Sequence, residues 1–161
     1  AARHAARVAG LTLIDTTSWY GEDAPKAWAD RASAAKAKGL ASLIDFQLTR
    51  WFGDEFRTTH PEVSKACIDT FVKNDVDAYA ATCNMLGAVD ERAALAHFKM
   101  PVRIMVGEED YATPPAMAQA MHKAIPHSTY LLLPKARHLT PLERPDEVAS
   151  EIIETLKAAR R

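Results

Sequence analysis

Residues 101–143, PVRIMVGEEDYATPPAMAQAMHKAIPHSTYLLLPKARHLTPLE, decide the fold. Val102 to Val106 is a short β-branched and apolar run, and the acidic turn GEED follows it. Thr113 is placed to cap a helix, with Pro114 at its first position, running to about Ile125. Thr129 to Leu133 is the next strand, and a loop carrying His138 follows. Two strands joined through a helix lie parallel, so their C-terminal ends share one sheet edge. Asp110 and His138 therefore emerge together, an acid and a base placed to meet above a sheet.

Working outward, Val8 to Asp15 (VAGLTLID) reads as a further buried parallel strand ending in an acidic turn. The preceding AARHAAR has the texture of a helix end, so the chain is expected to begin inside a helix, as a piece of a larger protein would. From Ala24 to His97 apolar residues recur at helical spacing among Ala, Lys, Asp and Arg. Helices are expected over 25–38, 40–51, 61–73, 76–86 and 91–98, with Gly39 and Gly53 as stops. Four or five helices between two strands make an insertion rather than a simple crossover. Pro145 to Ala159 is a terminal helix, expected to turn Glu147, Glu151 and Glu154 outward and Val148, Ile152, Ile153 and Leu156 inward. The expected organisation is 1–21 as core strand and turn, 22–98 as a helical cap, and 99–161 as the α/β core carrying acid and histidine.

Composition narrows the partners. Of 161 residues 48% are hydrophobic, enough for a core, while 25% are charged and the net charge is −1. That balance gives no electrostatic reason to expect nucleic acid or an anionic membrane. Tyr130-Leu131-Leu132-Leu133 is far short of the roughly 20 apolar residues of a membrane span. The start has no apolar stretch of a secretory signal, and a cytoplasmic location is expected. Cys67 and Cys83 form no metal-binding pattern and read as small buried hydrophobes, with no disulfide required. A nucleotide-binding domain would want a Gly-rich turn after a strand, and the chain has none.

The chemistry implied by the pair is specific. A hydroxyl nucleophile needs an imidazole to take its proton, and the imidazole needs a buried carboxylate to fix its tautomer. Asp110 suits the carboxylate role, Gly107 permitting a sharp exit from the strand. On its own it could equally cap the following turn, and Glu108 and Glu109 are neighbouring acids. His138 suits the base; His4, His60, His97, His122 and His127 read as surface residues of helices or helix ends. Asp15 is an alternative acid whose bland role is a structural turn. The nucleophile is missing: no G-x-S-x-G occurs in the chain, and Ser18, in the turn after the first strand, is the nearest substitute.

GEED-x-x-TP with A-R-H-L-x-x-L-E-x-P resembles the acid turn and histidine loop of the α/β-hydrolase superfamily. RWFGDEFRTTHPEV (50–63) and YAATCNMLGAVDERAAL (79–95) resemble the cap of 3-oxoadipate enol-lactonases, which open a five-membered enol-lactone in aromatic catabolism. Related lactonases, esterases and C–C hydrolases also carry helical caps. The resemblance implies a partial α/β-hydrolase fold, parallel strands with a helical cap, lacking the N-terminal half of the sheet and the nucleophile elbow. It implies Asp110 and His138 as catalytic residues, no metal or cofactor, and an anionic lactone or ester as substrate. Arg50 is then the candidate cation and Trp51 the candidate apolar wall; an exposed helix residue and a core tryptophan are the plain readings. Arg137 is either a solvated loop residue or a charge near the substrate carboxylate. By itself the chain is expected to be inactive, and to associate with the missing half or with a second copy across the open edge of the first strand.

Overall fold

The computed structural model describes residues 1–160, which form two compact units: one made of residues 1–18 and 91 onward, the other of Trp19–Asp90. The first is built on a parallel sheet in the order β1 (Leu11–Ile14), β2 (Val102–Gly107), β3 (Thr129–Leu133). Leu11 pairs with Val102 and Ile104 with Tyr130, so alternate residues of all three strands share a face. One face carries Val102, Ile104 and Val106 with Leu11, Leu13, Tyr130 and Leu132. It is closed by Ala118, Met121 and Ile125 around α7 (Pro115–Ala124), and by Leu95 of α6 (Arg92–Leu95) with Phe98 and Met100. Residues 91–98, expected in the cap, thus pack with the sheet, and the helical insertion is shorter than 22–98.

The opposite face is partly polar, and that explains an error of sequence reading. After the one-turn α8 (Thr140–Glu143), Val148 of α9 (Pro145–Ala159) packs with Met105, Leu133 and Ala136. Beside them the Thr12 and Thr155 hydroxyls lie 2.7 Å apart, and Arg103 donates to both oxygens of Glu151 at 2.6 and 3.1 Å. Gly10 lets α9 come close, since a Cβ there would stand 2.8 Å from the Thr155 methyl. The helix is therefore rotated so that Glu151 and Thr155 face the sheet, while Ile152, Ile153 and Leu156, expected inside, are 41%, 50% and 55% exposed. A half-buried arginine on the strand requires a carboxylate, and that need overrides the apolar stripe next to it.

Other boundaries moved for local reasons. The α7 helix opens one residue late, because the Thr113 hydroxyl turns to Asp110 instead of capping the helix. Residues Ala2–Arg7 are 3₁₀ turns broken at His4 rather than the end of an α-helix.

The second unit is entirely helical apart from one bridge between Trp19 and Asp90. It contains α1 (Ala24–Lys38), a 3₁₀ turn (Leu40–Leu43), α2 (Ile44–Trp51), α3 (Asp54–Thr59), α4 (Pro61–Phe71) and α5 (Val76–Ala88). Gly39 adopts φ 75°, a conformation that stops α1 and suits glycine. The six-residue α3 was not anticipated; it is too short for a periodic signal. Ala32, Ala80 and Cys83 join α1 to α5, and Gly87 allows the close approach, its Cβ site lying 3.2 Å from Pro25 and Trp28. Cys67 and Cys83 are free thiols, Cys83 being buried. No helix among the described residues is long and apolar enough to cross a membrane.

Candidate active site

The acid is built before the base. Asp110 lies in the turn after β2 and is 1% exposed. Its Oδ1 accepts from the Ala112 and Thr113 amides at 2.7 and 2.9 Å, and its Oδ2 from the Thr113 hydroxyl at 2.8 Å. Such an Asx-type turn is a reason for aspartate here, and it also fixes the carboxylate in one direction. Oδ2 faces Nδ1 of His138 at 2.9 Å. The acid side chain is fully buried and the imidazole is 25% exposed. With Nδ1 donating to Asp110, Nε2 is the nitrogen left to accept a proton. Burial by itself would raise the Asp110 carboxyl; the hydrogen bond and charge of His138, with the Thr113 bonds, outweigh it and hold the acid below its ordinary range.

The two neighbouring acids have other partners. Glu108 accepts from the Lys135 amide at 3.1 Å, and Glu109 lies 3.4 Å from Nε of Arg137. Arg137 is correspondingly not a solvated loop residue. It is 7% exposed, with its guanidinium 5.1 Å from the centre of the Tyr111 ring. Its amide donates to the buried Glu143 at 2.8 Å, a tie across the histidine loop.

Asp15 holds the turn after β1 at φ 45°, a left-handed conformation that aspartate tolerates better than most residues. Its Oδ1 accepts from the Gly107 amide at 3.2 Å, and its Oδ2 from the Thr140 amide at 3.0 Å and the Thr140 hydroxyl. It is thus occupied with backbone and threonine, not with His138, in keeping with a structural turn. Burial pushes its carboxyl up to about 6, against the opposing pull of the Thr140 and Gly107 bonds and with the charge of Asp110 adding. A raised acid in the fold means the folded state keeps that proton longer than the unfolded chain. Its contribution is full below the ordinary value of 3.8 and is lost as pH rises through about 6. The stability of the wild-type chain relative to Asp15→Asn is therefore expected to fall by about 3 kcal/mol across that window and to be flat above it. Urea denaturation at several pH values measures this; parallel curves for the two proteins would refute it.

In the helical unit, Arg50 stacks over Phe46, its guanidinium carbon 3.7 Å from the ring centre. Arg31, which sequence reasoning missed, stands over the same ring at 4.9 Å. Its Nε donates to the Tyr79 hydroxyl at 2.8 Å and another nitrogen donates to the buried Gln47. Among the described residues neither arginine forms an ion pair with a carboxylate. Burial and the charge of Arg31 hold Arg50 below its ordinary value. Trp51 is half-buried; it meets Phe71 edge-on at 5.4 Å and packs against the cluster of Ala35, Leu40 and Phe71. The arginine pair was hidden because its members lie on different helices; a cation at either position is unremarkable by itself.

An acid turn after one strand and a histidine loop after the next define a class. Residues 1–151 match the family described as "Alpha/beta hydrolase family", and the chain belongs to it. It is 30% identical over 135 residues to 3-oxoadipate enol-lactonase 2 of Acinetobacter baylyi, covering 84% of this chain and 49% of that protein. The crystal structure of the enol-lactonase from Burkholderia xenovorans LB400 superposes with a TM-score of 0.91 at 32% identity, over 98% of this chain and 59% of that one. A malate-bound thermophilic esterase from Thermogutta terrifontis gives 0.89 at 26% identity, over 99% and 60%. The chain spans about half the length of the curated relatives it matches. The fold is that of a partial α/β-hydrolase, three parallel strands of an open sheet with their helices.

Proposed function

We propose that this chain is the acid- and histidine-bearing portion of a serine-dependent hydrolase of carboxylic esters or lactones, acting on 3-oxoadipate enol-lactone in the cytoplasmic breakdown of aromatic compounds. The observation that carries the reading is the 2.9 Å bond between His138 and a fully buried Asp110 at adjacent strand ends. The enol-lactonase names of the relatives support the substrate. In this mechanism a serine hydroxyl, supplied by the part of the hydrolase that this chain does not span, attacks the lactone carbonyl. His138 takes the hydroxyl proton at Nε2 and returns it to the departing ring oxygen. It then activates water against the acyl-enzyme, while Asp110 stabilises the cationic imidazole. Assayed alone, the chain should give no turnover of an activated ester or of the enol-lactone, since nucleophile and oxyanion donors are both wanting. Activity that persists on purification and vanishes in His138→Ala would reveal a nucleophile within the chain, Ser18 being the first to replace.

The substrate carries a free carboxylate, and Arg50 with Arg31 is the cation pair we assign to it. The malate ligand of the esterase neighbour is also a carboxylate, which supports an anionic ligand in this kind of protein. In a hydrolase containing this chain, Arg31→Ala and Arg50→Ala should each lower kcat/KM for the anionic lactone by roughly ten- to a hundredfold, as for a lost charged hydrogen bond of roughly 1.5–3 kcal/mol. Neutral esters should be nearly unaffected. Equal losses on both substrates would mark the arginines as structural and leave the esterase reading standing.

A further inference from the structure

Below the Asp110–His138 pair lies a buried carboxylate that the proposed chemistry does not use. Asp15 bonds to two chain segments at once: to Gly107, three residues before the acid, and to Thr140, two residues after the histidine. We propose that Asp15 is a positioning residue for His138, pinning the histidine loop to the ends of β1 and β2 so that the imidazole stays within bonding distance of Asp110. This deepens the reading above and rests on its assignment of Asp110 and His138 as acid and base.

Three features support it. The carboxylate receives two backbone amides and one hydroxyl, so it restrains main chain rather than a movable side chain. Asp15 and Thr140 are 8% and 0% exposed, which shields those bonds from competing water. The aspartate reaches them from a left-handed backbone at φ 45°, a conformation that persists where surrounding contacts hold it. Glu143 ties the loop on the other side of His138 through the Arg137 amide, so Asp15 supplies the second of two anchors. Without it the segment after His138 loses its attachment to the sheet edge.

The Nδ1 proton of His138, held against Asp110, is a spectroscopic signature that a merely structural turn would not move. We would record the imidazole ¹⁵N–¹H correlations of this chain at neutral pH, well below its melting temperature, for Asp15→Asn, Thr140→Val and Thr140→Ser. Asp15→Asn should lose the protected Nδ1–H signal, or exchange it with water at least about tenfold faster, while backbone amides of α7 keep their shifts. Thr140→Val should weaken the signal and Thr140→Ser, which keeps the hydroxyl, should restore it. A wild-type signal in folded Asp15→Asn would overturn the proposal. If Asp15→Asn does not fold, the threonine pair decides: identical signals in Thr140→Val and Thr140→Ser would overturn it, and loss with rescue would sustain it. The signal needs no substrate. An unchanged imidazole in the variants defeats the positioning role, whereas a normal imidazole response with no enol-lactone turnover in the complete hydrolase defeats the substrate reading.

Discussion

Asp110→Asn, in a hydrolase containing this chain, is expected to lower kcat by about 10⁴-fold with little change in KM. The carboxylate accepts from two amides, a threonine hydroxyl and Nδ1 of His138. An amide in the same place has one oxygen and one NH₂ group, so either the turn or the histidine meets a donor where it needs an acceptor. The imidazole then favours the other tautomer, with its proton on the nitrogen that should receive the serine proton. Stability should shift too. The folded acid is held below its ordinary value, so it stabilises the protein above that range and ceases to do so as pH falls through its folded value. Steady-state kinetics with the enol-lactone, beside acid titration of the fold, checks both. A loss of less than about tenfold in kcat would remove Asp110 from the mechanism.

Gly107→Ala should also be damaging, though less so and by a different route. A Cβ at Gly107 would stand 2.4 Å from the carbonyl oxygens of both Ala136 and Arg137. Both are main-chain atoms of the segment that leads into His138, so nothing flexible can swing aside. The same segment is tied to the acid turn by the Glu109 amide, which donates to the Ala136 carbonyl at 2.9 Å. The expected result is a destabilisation of about 1–3 kcal/mol from overpacking and a fall in kcat on the order of 10²-fold as the imidazole is displaced by about an ångström. Gly21→Ala is the control: φ there is 104°, but no atom lies within 4 Å of the added methyl, so only backbone strain is introduced. Thermal denaturation and turnover of the paired variants measure the two effects. Equal kinetics in both would show that the histidine loop tolerates displacement from β2.

Much of this site was legible because it is local. A strand followed by GEED and a strand followed by ARHL specify where two side chains leave a parallel sheet, and parallel geometry brings them together. The Val102–Gly107 and Thr129–Leu133 strands were readable for the same reason: each is a short apolar run with a sharp exit. What stayed hidden depends on distant partners. The role of Asp15 is defined by Thr140, 125 residues later, and no pattern around VAGLTLID announces it. The buried face of α9 was misjudged because Ile152, Ile153 and Leu156 make a good apolar stripe, whereas the decisive contact is an ion pair to Arg103 on another element. Arg31 lay beyond reach since only the packing of α1 near α2 sets it over Phe46.

The two points where the chain leaves and re-enters the sheet unit have a consequence for how such proteins diversify. The Glu91 amide donates to the Ser18 carbonyl at 2.9 Å, and Trp19 bridges Asp90 one step further along. The departing and returning strands of chain are therefore already clasped within each unit, at the two ends of the 72 residues between Ser18 and Glu91. A segment so attached can be exchanged for another of different length without moving Asp110 or His138, because its paired ends, not the inserted helices, fix the distance the backbone must span. Grafting a relative's helical segment between Ser18 and Glu91 is thus a route to altering what the protein accepts while its acid–base pair is inherited unchanged.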